Sequence, residues 1–233
     1  MTRLDVPVTF NFRPVAGTRP GTLYRSDALA KVNRAGRQRL RELGVRRVID
    51  LRSDLDRRLS GPDRIRGVGA ELVKAPMLSG GSKKEIYGLT LEGIYRQLLD
   101  SNGRALGAAI RAVAEAPEGS VVVHCTAGKD RSGVTAALIQ LAIGVDEATV
   151  LDDFARTEGN LAGPWATGML ARMRKLRIEV TPQLERVFVG SPPEAMAATL
   201  QHLRDAHDGG SAYLSSIGVT EAHRERLRMQ LAG

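Results

Sequence analysis

Residues 120–133 read SVVVHCTAGKDRSG and contain Cys125, the one cysteine of a 233-residue chain. The continuous apolar run up to Cys125 has the character of a strand buried on both faces. From Arg131 onward the apolar spacing is helical. The thiol is therefore delivered to the N-terminus of a helix, where the backbone N–H groups of residues 126–131 and the helix dipole can cradle a tetrahedral oxyanion. That field favours thiolate over thiol and makes Cys125 a nucleophile near neutral pH. Arg131 follows six residues later, where its planar fork can hold two oxygens of the bound group. Ser132 can donate a hydroxyl hydrogen bond to the sulfur and stabilise it as a leaving group. Gly128 and Gly133 suit a backbone that bends sharply and packs closely. Thr126, Ala127, Gly128, Lys129, Asp130 and Arg131 together make the candidate anion cradle. A lone cysteine is more often an inert buried thiol, and it is these neighbours that argue otherwise.

Other loops of similar composition fit less well. A Walker-type nucleotide loop requires an earlier glycine at 123, which is Val123, and Ser or Thr after Lys129, where Asp130 stands. A rhodanese-like sulfur-transfer loop leaves Lys129 and Asp130 without a task. Asp130 has two readings, a proton donor to the leaving group and a carboxylate that pins the loop. Asp54, Asp56 and Asp63 are poorer candidates for the acid, and Asp50 and Arg52 are supports. Lys129 is read as a second cation for additional phosphates, with a solvated lysine as the alternative. His124, next to Cys125 on a strand, points to the opposite face and braces the loop. His202, His207 and His223 carry no motif. Asp152 and Asp153 are adjacent on a helix, do not converge on a metal, and read as surface or helix-end residues. No metal and no cofactor is expected.

The elements that must hold this stretch can be read along the chain. Strands are predicted within 22–29, at 46–53, at 70–76 and at 120–125. Helices are predicted at 33–43, 84–99, 103–115, 131–143, 146–157, 162–177, 193–206 and 220–231. A polar loop follows residue 53, and LSGGSKK (78–84) is a loop. Strands alternating with helices, followed by a helical second half, give an α/β fold with a small, mostly parallel central sheet flanked by helices. Without a linker or repeat, residues 1–233 read as one domain. Trp165, Met169 and Met173 recur every four residues and form an apolar stripe. The stripe is either core or the inner face of a mobile helical lid at about 161–190.

The run His-Cys-x5-Arg-Ser resembles the phosphate-binding loop of protein tyrosine phosphatases. The fuller HCTAGKDRSG resembles the bacterial branch that also removes phosphate from phosphoinositides. NFRPVAG (11–17), RPGTLYRSDAL (19–29), VIDLRS (48–53), DDFARTEGN (152–160) and GGSAYLSSIGV (209–219) look like that family's landmarks in its order, with Pro14 a local departure. The resemblance implies a cysteine-phosphatase fold and a two-step reaction. Cys125 takes the phosphoryl group, Arg131 and the loop amides hold its oxygens, and water releases it without a metal. The family's classical acid, an Asp about thirty residues before the cysteine, is missing, since no Asp lies between Asp63 and Asp100. Asp130 is the acid that the resemblance supports.

Composition limits the partners. The net charge is +8, and residues 31–66 hold twelve Lys and Arg against five Asp and Glu, a balance that favours anionic partners. With 4% aromatic residues and no zinc-finger spacing, nucleic acid is not among those expected. The expected substrates are phosphotyrosine proteins, with phosphoserine, phosphothreonine and phosphoinositides as extensions. The alternatives are mainly a phosphoinositide phosphatase and a phosphate-binding module without turnover. No stretch reads as a transmembrane helix or secretory signal, so a cytoplasmic enzyme is expected, with signal-independent export left open.

Overall fold

Short runs of Val, Ile, Leu and Tyr pair into one five-stranded sheet in the computed structural model, which describes residues 3–77 and 86–233. The strands are β1 (Arg13–Pro14), β2 (Leu23–Ser26), β3 (Val45–Asp50), β4 (Glu71–Lys74) and β5 (Ser120–His124), in the order β1-β2-β5-β3-β4. Only β1 is antiparallel to its neighbour. β5 lies between β2 and β3 with both faces covered, which explains its unbroken Val121-Val122-Val123 run. Side chains alternate across the sheet: Val121, Val123 and Cys125 enter one core, and Val122 enters the other with Tyr24, Leu40 and Val48.

The helices are α1 (Arg34–Glu42), α2 (Asp54–Ser60), α3 (Leu91–Ala114), α4 (Asp130–Ala142), α5 (Glu147–Leu161), α6 (Pro164–Lys175), α7 (Pro182–Phe188), α8 (Pro193–His207), α9 (Gly209–Ser216) and α10 (Glu221–Leu231). α4 is buried along most of its length. Its apolar residues surround the axis, as expected of a helix enclosed by others.

Sequence and structure differ in several elements. The two helices expected over 84–115 are joined as α3, with Asn102 at φ −116° and ψ 16° marking the kink between them. The LSGGSKK loop and the expected start of that helix lie outside the described residues. Residues 54–60, read as loop, are helical because Ser53 and Asp56 form a reciprocal capping box. α7 and α9 are too short to leave a clear periodic signal.

A buried charge cluster ties the first strands to α5. Asp153 accepts from Arg25 at 2.9 Å and lies 3.6 Å from Arg13, with all three side chains almost fully enclosed. Arg13 also donates to the Asp153 carbonyl at 2.7 Å and to Thr157 Oγ1 at 3.0 Å. This corrects the surface role expected of Asp153, whose carboxylate is turned inward to two guanidinium groups. Removing its charge should leave two buried cations unbalanced. Asp153→Asn is therefore expected to lose about 3–5 kcal/mol in urea denaturation. The exposed neighbour variant Asp152→Asn should stay within about 0.5 kcal/mol of the parent.

Candidate active site

Beyond β5 the chain turns through residues 125–129 into α4, and its carbonyls are fastened from outside. Ala28 N–H donates to the Thr126 carbonyl at 3.2 Å. Asn11 Nδ2 donates to the carbonyls of Ala127 at 3.3 Å and Gly128 at 2.9 Å. Arg25 Nη2 donates to those of Gly128 and Lys129, both at 3.0 Å. In a trans peptide the C=O and the following N–H point in opposite directions. Four carbonyls held outward therefore set the N–H groups of Ala127, Gly128, Lys129 and Asp130 on the inner side, as an anion cradle needs.

Two glycines make this possible. Gly128 has φ +69°, and a Cβ there would lie 2.5 Å from the Ser26 carbonyl carbon. A Cβ at Gly133 would lie 2.9 Å from Arg25 Nη2, blocking the approach of the guanidinium to the loop.

Cys125 Sγ is buried, 3.7 Å from Ser132 Oγ. Burial alone would push the thiol up, but the Arg131 charge and the Ser132 N–H outweigh it and hold its pKa below the ordinary value. Arg131 is itself fixed in place. Its Nη1 meets Asp56 Oδ2 at 2.5 Å and the Met77 carbonyl at 3.3 Å, and its Nη2 donates to Thr126 Oγ1 at 3.1 Å. Although burial opposes it, that guanidinium holds the Asp56 carboxyl below the usual range. Asp56 is thus a poor proton donor.

A cavity of about 310 Å³ opens above the thiol. Cys125, Thr126, Asp130 and Arg131 form its floor, and Trp165, Met169 and Met173 line its other side. Residues 4–233 match the tyrosine phosphatase family. The chain belongs to that family. It is 29% identical to the triple specificity protein phosphatase PtpB of Mycobacterium tuberculosis, over 98% of this chain and 99% of that protein. It is 27% identical to a tyrosine-protein phosphatase of Nostoc commune, over 89% and 73% of the two chains. Among solved structures, TpbA of P. aeruginosa overlaps 84% of this chain and 86% of its own, with 17% identity and a TM-score of 0.39.

Around the phosphatase loop, His124 lies on the face opposite Cys125. Its Nε2 is 3.0 Å from Asp63 Oδ2 and its Nδ1 is 3.3 Å from the Cys125 carbonyl. Two acceptors suit an imidazolium. Burial pushes the His124 pKa down, but Asp63 and Asp50 more than offset this and raise it. Arg52 bridges the same two carboxylates at 2.9 Å each, so Asp50 and Arg52 occupy the supporting positions expected of them. Asp63 is enclosed in that cluster, and Asp54 is exposed beside Arg57.

Asp130, the first residue of α4, accepts from Tyr95 Oη at 2.8 Å and from Lys129 Nζ at 2.9 Å through Oδ1. Lys129 is not where the sequence placed it. Its ammonium is buried, donating to the carbonyls of Val187 at 2.7 Å and Gly190 at 3.0 Å, so it clasps the end of α7. A solvated lysine is equally ruled out by that burial.

Asn11, Arg25, Tyr95 and Asp153 were missed as parts of the site. Asn11 and Arg25 sit in the NFRPVAG and RPGTLYRSDAL landmarks, which flagged the segments without their purpose. Tyr95 left no signal beyond its place among apolar residues on a helix. The alkylation rate of Cys125 by iodoacetamide follows its thiolate fraction. Its pH midpoint should lie below the ordinary thiol value of about 8.5. Arg131→Met should raise that midpoint, because burial is then less opposed.

Proposed function

We propose that the chain hydrolyses phosphotyrosine through a phosphocysteine intermediate, a reading carried by the thiol at the mouth of the inward N–H cradle beside Arg131. The Cys125 thiolate attacks phosphorus in line, and the bond to the phenolic oxygen breaks as Asp130 gives that oxygen its proton. Water then attacks the phosphocysteine, passes its proton to the Asp130 carboxylate and releases inorganic phosphate. Ser132 stabilises the departing thiolate. Arg131 and the loop N–H groups hold the equatorial oxygens in both steps.

The cavity supports an aromatic substrate, since Trp165, Met169 and Phe188 offer apolar walls above a charged floor. Residues 161–190 act as a lid, with Lys129 anchoring α7 to the loop. The whole of 1–233 works as one catalytic unit, because one continuous core draws side chains from Val15 to Leu231. Activity on phosphoserine, phosphothreonine and phosphoinositides is a second reading, favoured by the near-full-length likeness to a phosphatase named for triple specificity. Lys129, enclosed under α7, supports the lid in this reading and does not read a headgroup. Among the described residues no helix is long and apolar enough to cross a membrane.

The test compares kcat/KM on a phosphotyrosine peptide, a phosphoserine peptide and soluble phosphoinositides, with Cys125→Ser as the blank. Highest turnover on the tyrosine peptide is expected, and turnover surviving in Cys125→Ser would overturn the mechanism. Asp130→Asn should lower kcat roughly 10²–10⁴-fold on phenyl phosphate, whose leaving group needs a proton. It should lower kcat far less on para-nitrophenyl phosphate. Equal losses on both would make Asp130 a pin of the loop and not the acid.

A further inference from the structure

We propose that Asp100, His202 and His207 form a divalent transition-metal site, best suited to zinc, that clips the end of α8 to the kink of α3. Sequence spacing gave no sign of it, because Asp100 stands about a hundred residues before the two histidines. Folding brings them to one point. The Nε2 atoms of His202 and His207 each lie 2.9 Å from the same carboxylate oxygen, Asp100 Oδ1. All three ligand atoms fall within 4.8 Å of one another. The imidazole planes are nearly perpendicular, at 88°, with ring centroids 5.4 Å apart, so the rings converge from different directions without stacking.

Two imidazoles and a carboxylate are a donor set for zinc and its neighbours, and not for magnesium or calcium, which prefer all-oxygen sites. Zinc ligands at about 2.0–2.1 Å in a tetrahedron stand about 3.3 Å apart. Each Nε2 needs to draw back only a few tenths of an ångström from the carboxylate oxygen to reach that spacing. Each Nε2 faces a carboxylate oxygen, and with the ring proton on Nδ1 its lone pair is available to the metal instead. The side chains are partly exposed, which leaves room for a water as fourth ligand.

The surroundings hold the ligands in place. The Tyr213 ring meets the His207 ring at 4.9 Å, and Tyr213 Oη donates to the Leu99 carbonyl at 2.8 Å. One side chain thus positions a ligand on α8 and the residue preceding the ligand on α3. The other close His–Asp group among the described residues, His124 with Asp50 and Asp63, is different in kind. Arg52 already fills it with a cation bonded to both carboxylates.

The experiment titrates zinc into untagged Cys125→Ser protein, which removes the thiolate as a competing zinc ligand, against a chromophoric chelator. One saturable zinc per chain is expected. His202→Ala, His207→Ala and Asp100→Asn should each weaken it by at least about 10-fold, while His223→Ala should leave it unchanged. Zinc should also raise the thermal midpoint of the parent and not that of the His202→Ala/His207→Ala variant. Cobalt(II) tests the same site without altering the fold, since a tetrahedral site gives intense visible bands that the double variant must lack. No saturable zinc binding, or binding of equal strength in the double variant, overturns the proposal.

Discussion

The loop between β5 and α4 depends on the buried guanidinium of Arg25. One side of it meets Asp153, and the other meets two consecutive loop carbonyls. A guanidinium placed there without Asp153 would be an uncompensated charge in a low-dielectric interior, which is strongly unfavourable. With Asp153 present, it becomes the fixed donor that turns the loop peptides outward by their oxygens and inward by their N–H groups. Asn11 repeats the arrangement. Its oxygen accepts from Arg13 and Asn160, both at 3.0 Å, which leaves its amide nitrogen aimed at the loop. The cradle is therefore shaped from behind, by residues that meet no substrate.

Strand parity separates two support systems on either side of β5. Cys125 shares its side with Val121 and Val123, while His124 turns to the opposite side and its acidic partners. Because β2, β3 and β5 are parallel, their C-terminal ends deliver Arg25, Asp50 and His124 to the same edge of the sheet. Ligand sites in parallel sheets arise at that edge for this reason. One polar cluster fixes the loop through its carbonyls, and the other fixes the backbone just before Cys125.

What the sequence disclosed follows from how local each signal is. HCTAGKDRSG places thiol, arginine and hydroxyl within nine residues, so a strand running into a helix suffices to predict their juxtaposition. The four strands from residue 22 onward, the helical second half and the apolar stripe were legible from periodicity. Asp153 was not, because its partners are Arg13 and Arg25, far away in the chain, and a carboxylate beside another on a helix looks like surface. Lys129 was misplaced for the converse reason. Its position within the motif suggested a cation for substrate, yet its long side chain reaches carbonyls at the end of α7, a helix that seven residues could hardly announce. Asp100 and His202 illustrate the same limit: side-chain types are local information, and their convergence is not.

Asp56 shows how the site balances its charges. It closes the N-terminus of α2 through the capping box with Ser53, and the same carboxylate grips Arg131. The position of the guanidinium is thereby tied to the start of a helix, which keeps a long, flexible side chain in one orientation. The same contact offsets part of the Arg131 charge. At an effective dielectric constant near 20, two unit charges about 4 Å apart interact by roughly 4 kcal/mol, so the Asp56 carboxylate weakens, without cancelling, the attraction that Arg131 exerts on an arriving anion. At the N-terminus of α4 the Asp130 carboxylate is the corresponding counterweight, while the dipoles of the N–H groups of residues 127–130 are fixed before substrate arrives. In the proposed reaction Arg131 and the oriented peptides act on the phosphoryl group together, so the grip of Arg25 on two carbonyls matters although Arg25 does not line the cavity.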